Sequence, residues 1–452
     1  MKRTELLLFL LFVLLSGSGR AERIVIDRPT GAQAVLANVK KGSLVEVACN
    51  VVLPAFVWQL PEDCVIRYAG GCLHMAGIVG NRTQVESPAV RLFQVKKVSG
   101  TWNVETALPE WFGAVPAFGD AKPADCSAYI DQAILLDAPT LRFSNGNYGI
   151  SRPVIIHSHD ICIARGATLK ALGEMNARVK DYQGKDATVH SLIYADFLQA
   201  PKREVYGLQV QPRIYGGGCL DGDYKASVGL LLNKGYRVIV RDLTFRNFNQ
   251  YGFVAALSRT AAGSSVMQSC TFINDDGYYG SRATIKHHPD AKAILNNRYD
   301  CVYEDITTVN YRIAVVHEAD NGKFTNVHSW LRDGFYWENS IVFDCYAPDV
   351  TLVGCEADTM QKLIMCHKNF FFASVTDCRA YKNPDVVSDE LARRYPPLIV
   401  DKGDTKDSQV YLTGGDYWFE VPYRIINNMS AYDHVSIRRY NRNKVNANYD
   451  NN

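Results

Sequence analysis

The sequence has no charge excess of either sign, and it has no apolar run of membrane-spanning length after its first 15 residues. The 452-residue chain carries a formal net charge of +2. Removal of residues 1–21, which contain Lys2, Arg3, Arg20 and Glu5, leaves 46 basic and 46 acidic side chains. General nucleic-acid-binding proteins normally carry a basic excess. We therefore expect no nucleic-acid partner and no stable membrane insertion.

The first 21 residues have the pattern of a secretory signal peptide. Lys2 and Arg3 precede an apolar run over residues 6–15, and a small-residue cleavage site ends at Ala21. A charged start, a short apolar stretch and small residues at the cleavage site define such a leader. We expect the mature protein to begin near Glu22 and to be exported, either to the periplasm or out of the cell.

The twelve cysteines show no dense framework of closely spaced pairs. Small exported domains need disulfides because their cores are too small, whereas a long chain with 47% hydrophobic residues can bury a core without them. Cys270, Cys355 and Cys378 also recur at one position of a repeat. The sequence therefore favours free thiols that are mostly buried.

From residue 240 onward, a short pattern of alternating apolar and polar residues returns at steps of 21 to 37 residues. Short β-rich segments at such steps predict a solenoid whose coils stack on their neighbours. One position of the pattern always holds glycine or a small polar residue, the types that form tight corners: Asp242, Ser269, Asp305, Asn326, Gly354, Asp377 and Gly414. The next position is mostly apolar, and we expect it to face the core: Leu243, Cys270, Ile306, Val327, Cys355 and Cys378.

Three stretches carry a resemblance to a known family. "FGAVPAFGDAKPADCSAYIDQAI" (112–134) follows the pattern FGA-x-GD-G-x-x-DDT-x-AI-x-x-AI with its DDT degraded, and "RIYGGGCLDGD" (213–223) matches a G-G-x-L-D-G turn. Residues 60–87 look like the β-rich lead-in of exported gut-bacterial proteins. Together they resemble the pectate-lyase-like superfamily. The resemblance implies an all-β fold, a right-handed parallel β-helix with a short N-terminal helical cap over 124–136.

The same resemblance sets the expected domain boundaries. We expect a β-rich lead-in over 22–108, a β-helix catalytic domain over 109–430, and a C-terminal strand with a polar tail over 431–452.

Positions in the strand that follows each corner are counted from the corner residue, and we call this count the ruler. Side chains alternate along a strand, so the ruler places His317 and Glu338 in one outward column on successive coils, with Tyr336 beside Glu338. The rim position that follows holds Arg282, Glu318, Asn339 and His367. The resemblance implies that relatives carry catalytic groups on this face. The alternative is a cross-strand ion pair between His317 and Glu338.

A long insertion over 274–300 precedes the coil of His317 and is rich in cations. It suits one wall of a groove for an acidic sugar polymer, because Arg and Lys pair with carboxylate or sulfate; the alternative is a plain solvated loop. Asp275 and Asp276 offer Ca²⁺ a weak pair of ligands, and we predict no other cofactor or metal. Together with Asn339, the expected substrate-binding residues are Tyr279, Arg282, Lys286, His287, His288 and Arg298.

Two reactions fit this interpretation. In a polysaccharide lyase acting on a uronate-containing polymer, His317 is the base that takes the proton at C5, Tyr336 is the acid, Glu338 orients His317, and Arg282 or Asn339 neutralises the uronate. In a glycoside hydrolase, Glu338 and Glu318 flank the bond, with Asp333 in reserve. The hydrolase motifs GHG and RIK are absent, so we favour the lyase. A non-catalytic glycan-binding solenoid is the third alternative.

Overall fold

The computed structural model describes most of the chain between residues 22 and 437. The predicted signal peptide and most of the predicted polar tail lie outside the described residues. The described ranges are 22–157, 160–181, 184–197, 212–233, 237–257, 264–275, 288–332, 334–367, 372–405, 408–419, 421 and 423–437. No helix within these ranges is long and apolar enough to cross a membrane.

The chain divides into two compact units. The first comprises Met1–Glu105, Glu110–Gly113 and Leu135–Ala138, and the second comprises the rest. Helix α1 (Ala32–Ala37) and six parallel strands build the first unit, in which the long strand β5 pairs with β4 at one end and with β3 and β6 at the other. Its strands are β1 (Arg23–Ile26), β2 (Leu44–Val47), β3 (Val51–Gln59), β4 (Val65–Tyr68), β5 (Leu73–Glu86) and β6 (Phe93–Trp102).

The second unit is a parallel β-helix, as the sequence predicted. One side is a ten-stranded parallel sheet in which each coil adds one strand. Its strands are β10 (Val154–Ile156), β15 (Ser191–Ala195), β18 (Val228–Leu232), β21 (Tyr251–Val254), β24 (Lys292–Asn296), β26 (Ile313–His317), β28 (Ile341–Cys345), β31 (Lys362–Cys366), β34 (Leu398–Asp401) and β37 (Arg424–Ile426).

A twenty-stranded sheet forms the rest of the wall as two ladders separated by the tight corners. The ladder before the corners contains β7 (Thr106–Ala107), β8 (Thr140–Phe143), β11 (Asp160–Ile163), β16 (Arg213–Tyr215), β19 (Ile239–Arg241), β22 (Val266–Gln268), β29 (Asp349–Val353), β32 (Phe372–Thr376), β35 (Gln409–Thr413) and β38 (His434–Ser436). The ladder after them contains β9 (Gly146–Ile150), β12 (Ala167–Ala171), β17 (Cys219–Asp221), β20 (Thr244–Arg246), β23 (Thr271–Ile273), β30 (Glu356–Asp358), β33 (Arg379–Tyr381) and β36 (Asp416–Trp418). Two long strands, β25 (Val302–Val309) and β27 (Gly322–Trp330), pass through a corner and belong to both ladders.

The predicted corners are confirmed in backbone conformation. All seven have a φ between +50° and +66°, a left-handed conformation that glycine adopts freely and that Asn and Asp tolerate better than other side chains. The residues in the next position are buried, as expected: Leu243, Cys270, Ile306, Val327, Cys355 and Cys378. All twelve cysteines are free thiols, and eight of them are buried.

Aromatic rings stack along the inside of the coils. Phe245 and Phe272 lie 4.6 Å apart and nearly parallel, as do Tyr303 and Phe324 at 4.8 Å. Offset stacking of this kind adds to the gain from burial. The solenoid core is therefore held by columns of like side chains on successive coils.

The predicted helical cap is α2 (Ser127–Ile134), which is shorter than the 124–136 expected. Its inward face carries Ile130 and Ala133, and it contacts β10. Before the helix, the Asp125 carboxylate accepts hydrogen bonds from the hydroxyls of Ser127 and Ser151, each at 2.7 Å. The start of the helix is thus joined to the loop after β9.

Two further layers pack outside the coils. The antiparallel hairpin β13 (Ala177–Lys180) and β14 (Asp186–Val189) packs on the ten-stranded sheet, in a buried cluster that includes Tyr194 and Leu231. Helix α3 (Asp389–Arg394) begins at Ser388, whose hydroxyl accepts a hydrogen bond from the Leu391 amide. It packs with Trp337, Val387 and Val421 among the segments that lead into β28, β34 and β37.

Candidate active site

His317 faces the interior of the solenoid, so the prediction that it points into a cleft was wrong. Strand β26 pairs with β24 and β28, which places His317 between Asn296 and Cys345. The side chain is fully buried. Its Nδ1 lies 3.0 Å from Nδ2 of Asn296, and its Nε2 lies 2.9 Å from the carbonyl oxygen of Asp349. With both ring nitrogens hydrogen-bonded inside the core, His317 cannot reach a substrate.

The physical reason for this error is a break in the alternation of side chains within β26. Ala314 and the next residue, Val315, are both buried. Strand β21, two coils earlier, shows the same break. A Cβ on Gly252 would meet the interior ring of Phe272 at 2.5 Å, yet the next residue, Phe253, also faces inward, with its ring edge-on to Tyr303. Strict alternation fails at this point, and a shift of one residue turns every later side chain to the opposite face.

Glu338 does not stack on His317. The strand that pairs with β26 runs over Ile341–Cys345, and Glu338 lies before it in a 3-10 helix, Gly334–Asn339. The predicted column of His317 and Glu338 is therefore also wrong. Asn339 is exposed at the end of this helix. The backbone of Tyr336 lies in the same helix, whereas its side chain lies outside the described part of the chain, as does Asp333.

The structure describes only part of the segment that was predicted to form a cationic groove wall. Arg298 is fully buried and donates hydrogen bonds to the Ser265 hydroxyl at 3.0 Å and to the Asn233 carbonyl oxygen. Burial lowers the pKa of its guanidinium, and it cannot line a groove. Asp275 is also buried and pairs with Arg332 at 3.1 Å. The other predicted residues of this segment lie outside the described residues, apart from His288: Asp276, Tyr279, Arg282, Lys286 and His287.

Three polar side chains stand at one rim of the ten-stranded sheet. Glu318, Tyr346 and His367 directly follow β26, β28 and β31. Backbone hydrogen bonds from the Tyr346 amide to the His317 carbonyl (2.7 Å) and from the His367 amide to the Cys345 carbonyl (2.9 Å) keep the three residues in register. Glu318 and His367 thus lie on the same rim two coils apart, with Tyr346 between them; the sequence ruler had placed both at one rim position.

Asp344 adds a second carboxylate to this rim. It lies on β28 two residues before Tyr346, and its Oδ1 is 2.6 Å from Nε2 of His367. The rings of Tyr346 and His367 stack with centroids 4.0 Å apart and planes within 2°. Asp344 is only 5% exposed, whereas Tyr346 is 45% exposed. We call Glu318, Asp344, Tyr346 and His367 the rim cluster.

The pKa values of two tyrosines indicate that the carboxylates of the rim cluster share one electrostatic environment. Burial raises the pKa of Tyr346, and Asp344 and Glu318 raise it further. Burial likewise raises the pKa of Tyr251, with further contributions from Glu318 and Asp344. A negative charge opposes the loss of a proton from a nearby phenol. Both tyrosines therefore remain neutral hydrogen-bond donors beside these carboxylates.

Sequence reasoning missed Asp344 and Tyr346 because it placed this strand seven residues too early. The stretch "SIVFDCYAPD" (340–349) repeats the apolar-then-polar pattern of "IAVVHE" (313–318) and was the signal that could have found them. Apolar residues over four to five positions that end in polar groups mark a buried strand.

An open groove lies beside Tyr251 on the outer face of the same sheet. It encloses about 600 Å³, and Lys292 lies over the Tyr251 ring with its Nζ 5.6 Å from the centroid. His288, which the sequence analysis predicted to bind substrate, also lines the groove. The described residues that line it are Ser227, Asn249, Gln250, Tyr251, His288, Asp290 and Lys292. A separate group of side chains that could bind a metal ion lies on the twenty-stranded sheet. It consists of the triad His328, Glu356 and Asp358.

No protein-family model and no curated protein matches this chain. Several solved structures are distantly similar. ORF18 of Geobacillus virus E2 has 10% identity and a TM-score of 0.43 over 75% of this chain and 63% of its own. The endo-xylogalacturonan hydrolase from Aspergillus tubingensis has 11% identity and a TM-score of 0.40 over 74% of this chain and 93% of its own. The gp42 tailspike of Acinetobacter phage vb_AbaP_AS12 has 13% identity and a TM-score of 0.37 over 75% of this chain and 63% of its own. The chain therefore spans less than two thirds of the viral and phage proteins, and likenesses this distant carry no inference about its reaction.

Proposed function

We propose that this chain is an exported enzyme that cleaves glycosidic bonds in a polysaccharide, with Glu318 and Asp344 as its catalytic carboxyl groups. The observation that carries the proposal is the rim cluster, in which two carboxylates, an imidazole and an exposed phenol meet on successive coils. Glycoside hydrolysis requires a pair of carboxyl groups on either side of the scissile bond. The fold alone would not identify a reaction, because one fold supports many.

The backbone supports a suitable spacing of the two carboxyl groups. Glu318 and Tyr346 lie in register on neighbouring coils, and Asp344 is two residues before Tyr346. Strands lie about 4.8 Å apart and rise about 3.3 Å per residue, which puts the Cα atoms of Glu318 and Asp344 roughly 8 Å apart. Catalytic carboxyl pairs in glycosidases are about 5–10 Å apart. Side chains on Cα atoms at this distance can adopt such a carboxyl separation.

The surroundings of the two carboxyl groups support different roles. Asp344 is almost buried and is held by His367 at 2.6 Å, so its orientation is fixed. Glu318 is half-buried and makes no side-chain hydrogen bond with the described residues. We assign Asp344 as the carboxylate that attacks the sugar or activates water. Glu318 then donates the proton to the leaving oxygen.

The remaining side chains suit a sugar polymer. The exposed face of Tyr346, kept in place by the stacked ring of His367, offers a flat apolar surface to a sugar ring. Lys292 places a cationic group in the neighbouring groove, which the imidazole of His288 also lines. A carboxylate or sulfate on the polymer would pair with Lys292. The proposed substrate is therefore an acidic polysaccharide.

A polysaccharide lyase is the second candidate, and Lys292 in the groove favours it. β-Elimination needs a base at C5 and a cation beside the uronate carboxylate. The base cannot be the buried His317, so it would be His367 or a tyrosine. Asp344 and Glu318 raise the pKa of Tyr346 and of Tyr251, which opposes formation of a phenolate base. This is why we place hydrolysis before elimination.

The test is product analysis with purified protein on pectins, alginate, glycosaminoglycans and bacterial capsules. Hydrolysis predicts new reducing ends without ultraviolet absorbance from an unsaturated uronate, and loss of activity in Asp344→Asn and Glu318→Gln. The matched control is Glu338→Gln, a half-buried glutamate outside the rim cluster, which should keep its activity. Ultraviolet absorbance that grows with the reducing ends would establish the lyase instead. Binding to a polymer without any cleavage would contradict both enzymes and support the third alternative, a non-catalytic glycan-binding solenoid.

A further inference from the structure

A histidine and two carboxylates meet on the outer face of the twenty-stranded sheet. His328 is on β27, and Glu356 and Asp358 are on β30, the neighbouring strand on the next coil. His328 pairs in register with Glu356, and the next pair, Ser329 and Ala357, is fully buried. Because side chains alternate along a strand, His328, Glu356 and Asp358 all project outward from one small area.

The ligand atoms of these residues already converge. One nitrogen of His328 and one carboxylate oxygen each of Glu356 and Asp358 lie within 4.8 Å of one another. His328 Nε2 is 3.7 Å from Asp358 Oδ2. Two ligands bound at 2.0–2.1 Å to one tetrahedral Zn²⁺ are about 3.3 Å apart. Small side-chain rotations would therefore bring all three atoms to one ion.

Within the described residues, the two carboxylates of the triad have no cationic partner other than His328. His328 Nε2 is shielded from solvent and has no hydrogen-bond partner within the described chain, because 3.7 Å is too long for one. Neither Glu356 nor Asp358 pairs with Arg or Lys in the described residues. Arg379, which is opposite Glu356 in register, lies instead 3.9 Å from Asp416.

The charge around the imidazole is strongly negative. Asp358 raises the pKa of His328 most, and Glu356 raises it further against the opposing effect of burial. The carboxylate of Asp358 accepts one hydrogen bond, from the hydroxyl of Thr359 at 2.9 Å. A ligating carboxylate held in this way is typical of metal sites, in which outer hydrogen bonds fix the ligands.

We propose that His328, Glu356 and Asp358 bind one divalent first-row transition metal ion, for which Zn²⁺ is the probe. Imidazole nitrogen suits Zn²⁺ and its neighbours in the series, whereas Ca²⁺ and Mg²⁺ take oxygen ligands. Three protein ligands leave a position for water or for an outside ligand. The two carboxylates balance the charge of the ion.

The ion would join two coils of the solenoid. His328 belongs to one coil and the two carboxylates to the next. The bound metal therefore adds a link between two neighbouring coils, and a solenoid is stabilised by contacts of this kind. A ligand that binds the folded state and not the unfolded chain stabilises the fold. Zn²⁺ therefore raises the thermal unfolding temperature of the protein.

The experiment is calorimetric titration of metal-free protein, purified without a histidine tag, with Zn²⁺, Ca²⁺ and Mg²⁺, followed by thermal unfolding with and without Zn²⁺. We expect one Zn²⁺ per chain and no comparable binding of Ca²⁺ or Mg²⁺. His328→Ala, Glu356→Gln and Asp358→Asn should each weaken Zn²⁺ binding at least tenfold and remove the thermal shift. Circular dichroism confirms that each variant is folded, and the two carboxamide variants keep the shape of the native side chain.

Two histidine controls locate the site. His434→Ala removes an exposed histidine on β38 of the same sheet, and His367→Ala removes the one beside Asp344; both should keep the Zn²⁺ affinity of the unchanged protein. The proposal is overturned if saturable Zn²⁺ binding is absent, if it survives His328→Ala, or if it is lost in His367→Ala instead. None of these outcomes depends on whether the rim cluster is catalytic.

Discussion

Asp344 on β28 and His367 after β31 are joined across adjacent coils, with Oδ1 and Nε2 2.6 Å apart. Neither residue is near the other in sequence, and the contact exists because Cys345 and Cys366 pair in register beneath them. The buried pair of Cys345 and Cys366 thus sets the geometry of the polar groups beside it. Packing inside the solenoid therefore positions the polar side chains at its rim.

This contact predicts graded effects of substitution on cleavage of the polymer found in the product analysis. Asp344→Asn should lower kcat by about 10²–10⁴-fold, the usual contribution of a positioned acid or base. His367→Gln should lower it less, by about tenfold, because His367 orients the carboxylate and does not react. Steady-state kinetics measures both. A larger loss in His367→Gln than in Asp344→Asn would make the imidazole the reacting group.

The buried His317 predicts a stability effect and no direct catalytic effect. His317→Ala should lower the free energy of unfolding by about 2–4 kcal/mol, because it opens a cavity and leaves the Asn296 amide and the Asp349 carbonyl without their partner. Urea unfolding measures the loss. Activity per folded molecule should stay unchanged, and a folded variant of native stability without activity would contradict this role.

The corners could be predicted from sequence because they depend on local chemistry. A left-handed corner between two short strands demands glycine or a small polar residue, and the seven positions from Asp242 to Gly414 show that demand directly. The inward direction of Cys270, Cys355 and Cys378, which directly follow three of the corners, was predicted from the same pattern. The solenoid could therefore be predicted from the sequence without knowledge of any tertiary contact.

The rim cluster could not be predicted from the sequence, because the length of chain between a corner and the next strand varies. Strand β21 begins nine residues after Asp242, whereas β28 begins fifteen residues after Asn326. The extra residues form the 3-10 helix whose Trp337 packs in a cluster with α3. That packing is tertiary, so the ruler assigned Glu338 the place beside His317 that belongs to Cys345. The residues on either side of Cys345, Asp344 and Tyr346, were therefore missed.

The corner Gly354 predicts a cost from backbone conformation alone. Its φ is +61°, and a Cβ there would meet nothing within 4 Å. Gly354→Ala should lower the free energy of unfolding by about 1 kcal/mol, since only the left-handed backbone opposes the methyl group. Gly173→Ala is the matched control, because its Cβ would also meet open space without a left-handed φ. Equal stability of the two variants would show that the corner is not strained.

The carboxylate of Asp401 predicts how stability changes with pH. Burial raises the pKa of Asp401, but a 2.9 Å ion pair with Lys362, the Gly403 amide and the side chain of Asn427 outweigh it and hold the pKa below its usual value. A group with a lowered folded pKa stabilises above its unfolded pKa of about 3.9, and this gain is lost as pH falls through the folded pKa. Asp401→Asn should therefore cost about 1–2 kcal/mol at pH 7, the scale of a hydrogen bond to a charged group. The difference from the unchanged protein should shrink below about pH 4. Urea unfolding of both proteins between pH 3 and pH 7 measures it, and a gap that stays constant over this range would mean that folding does not lower the pKa of Asp401.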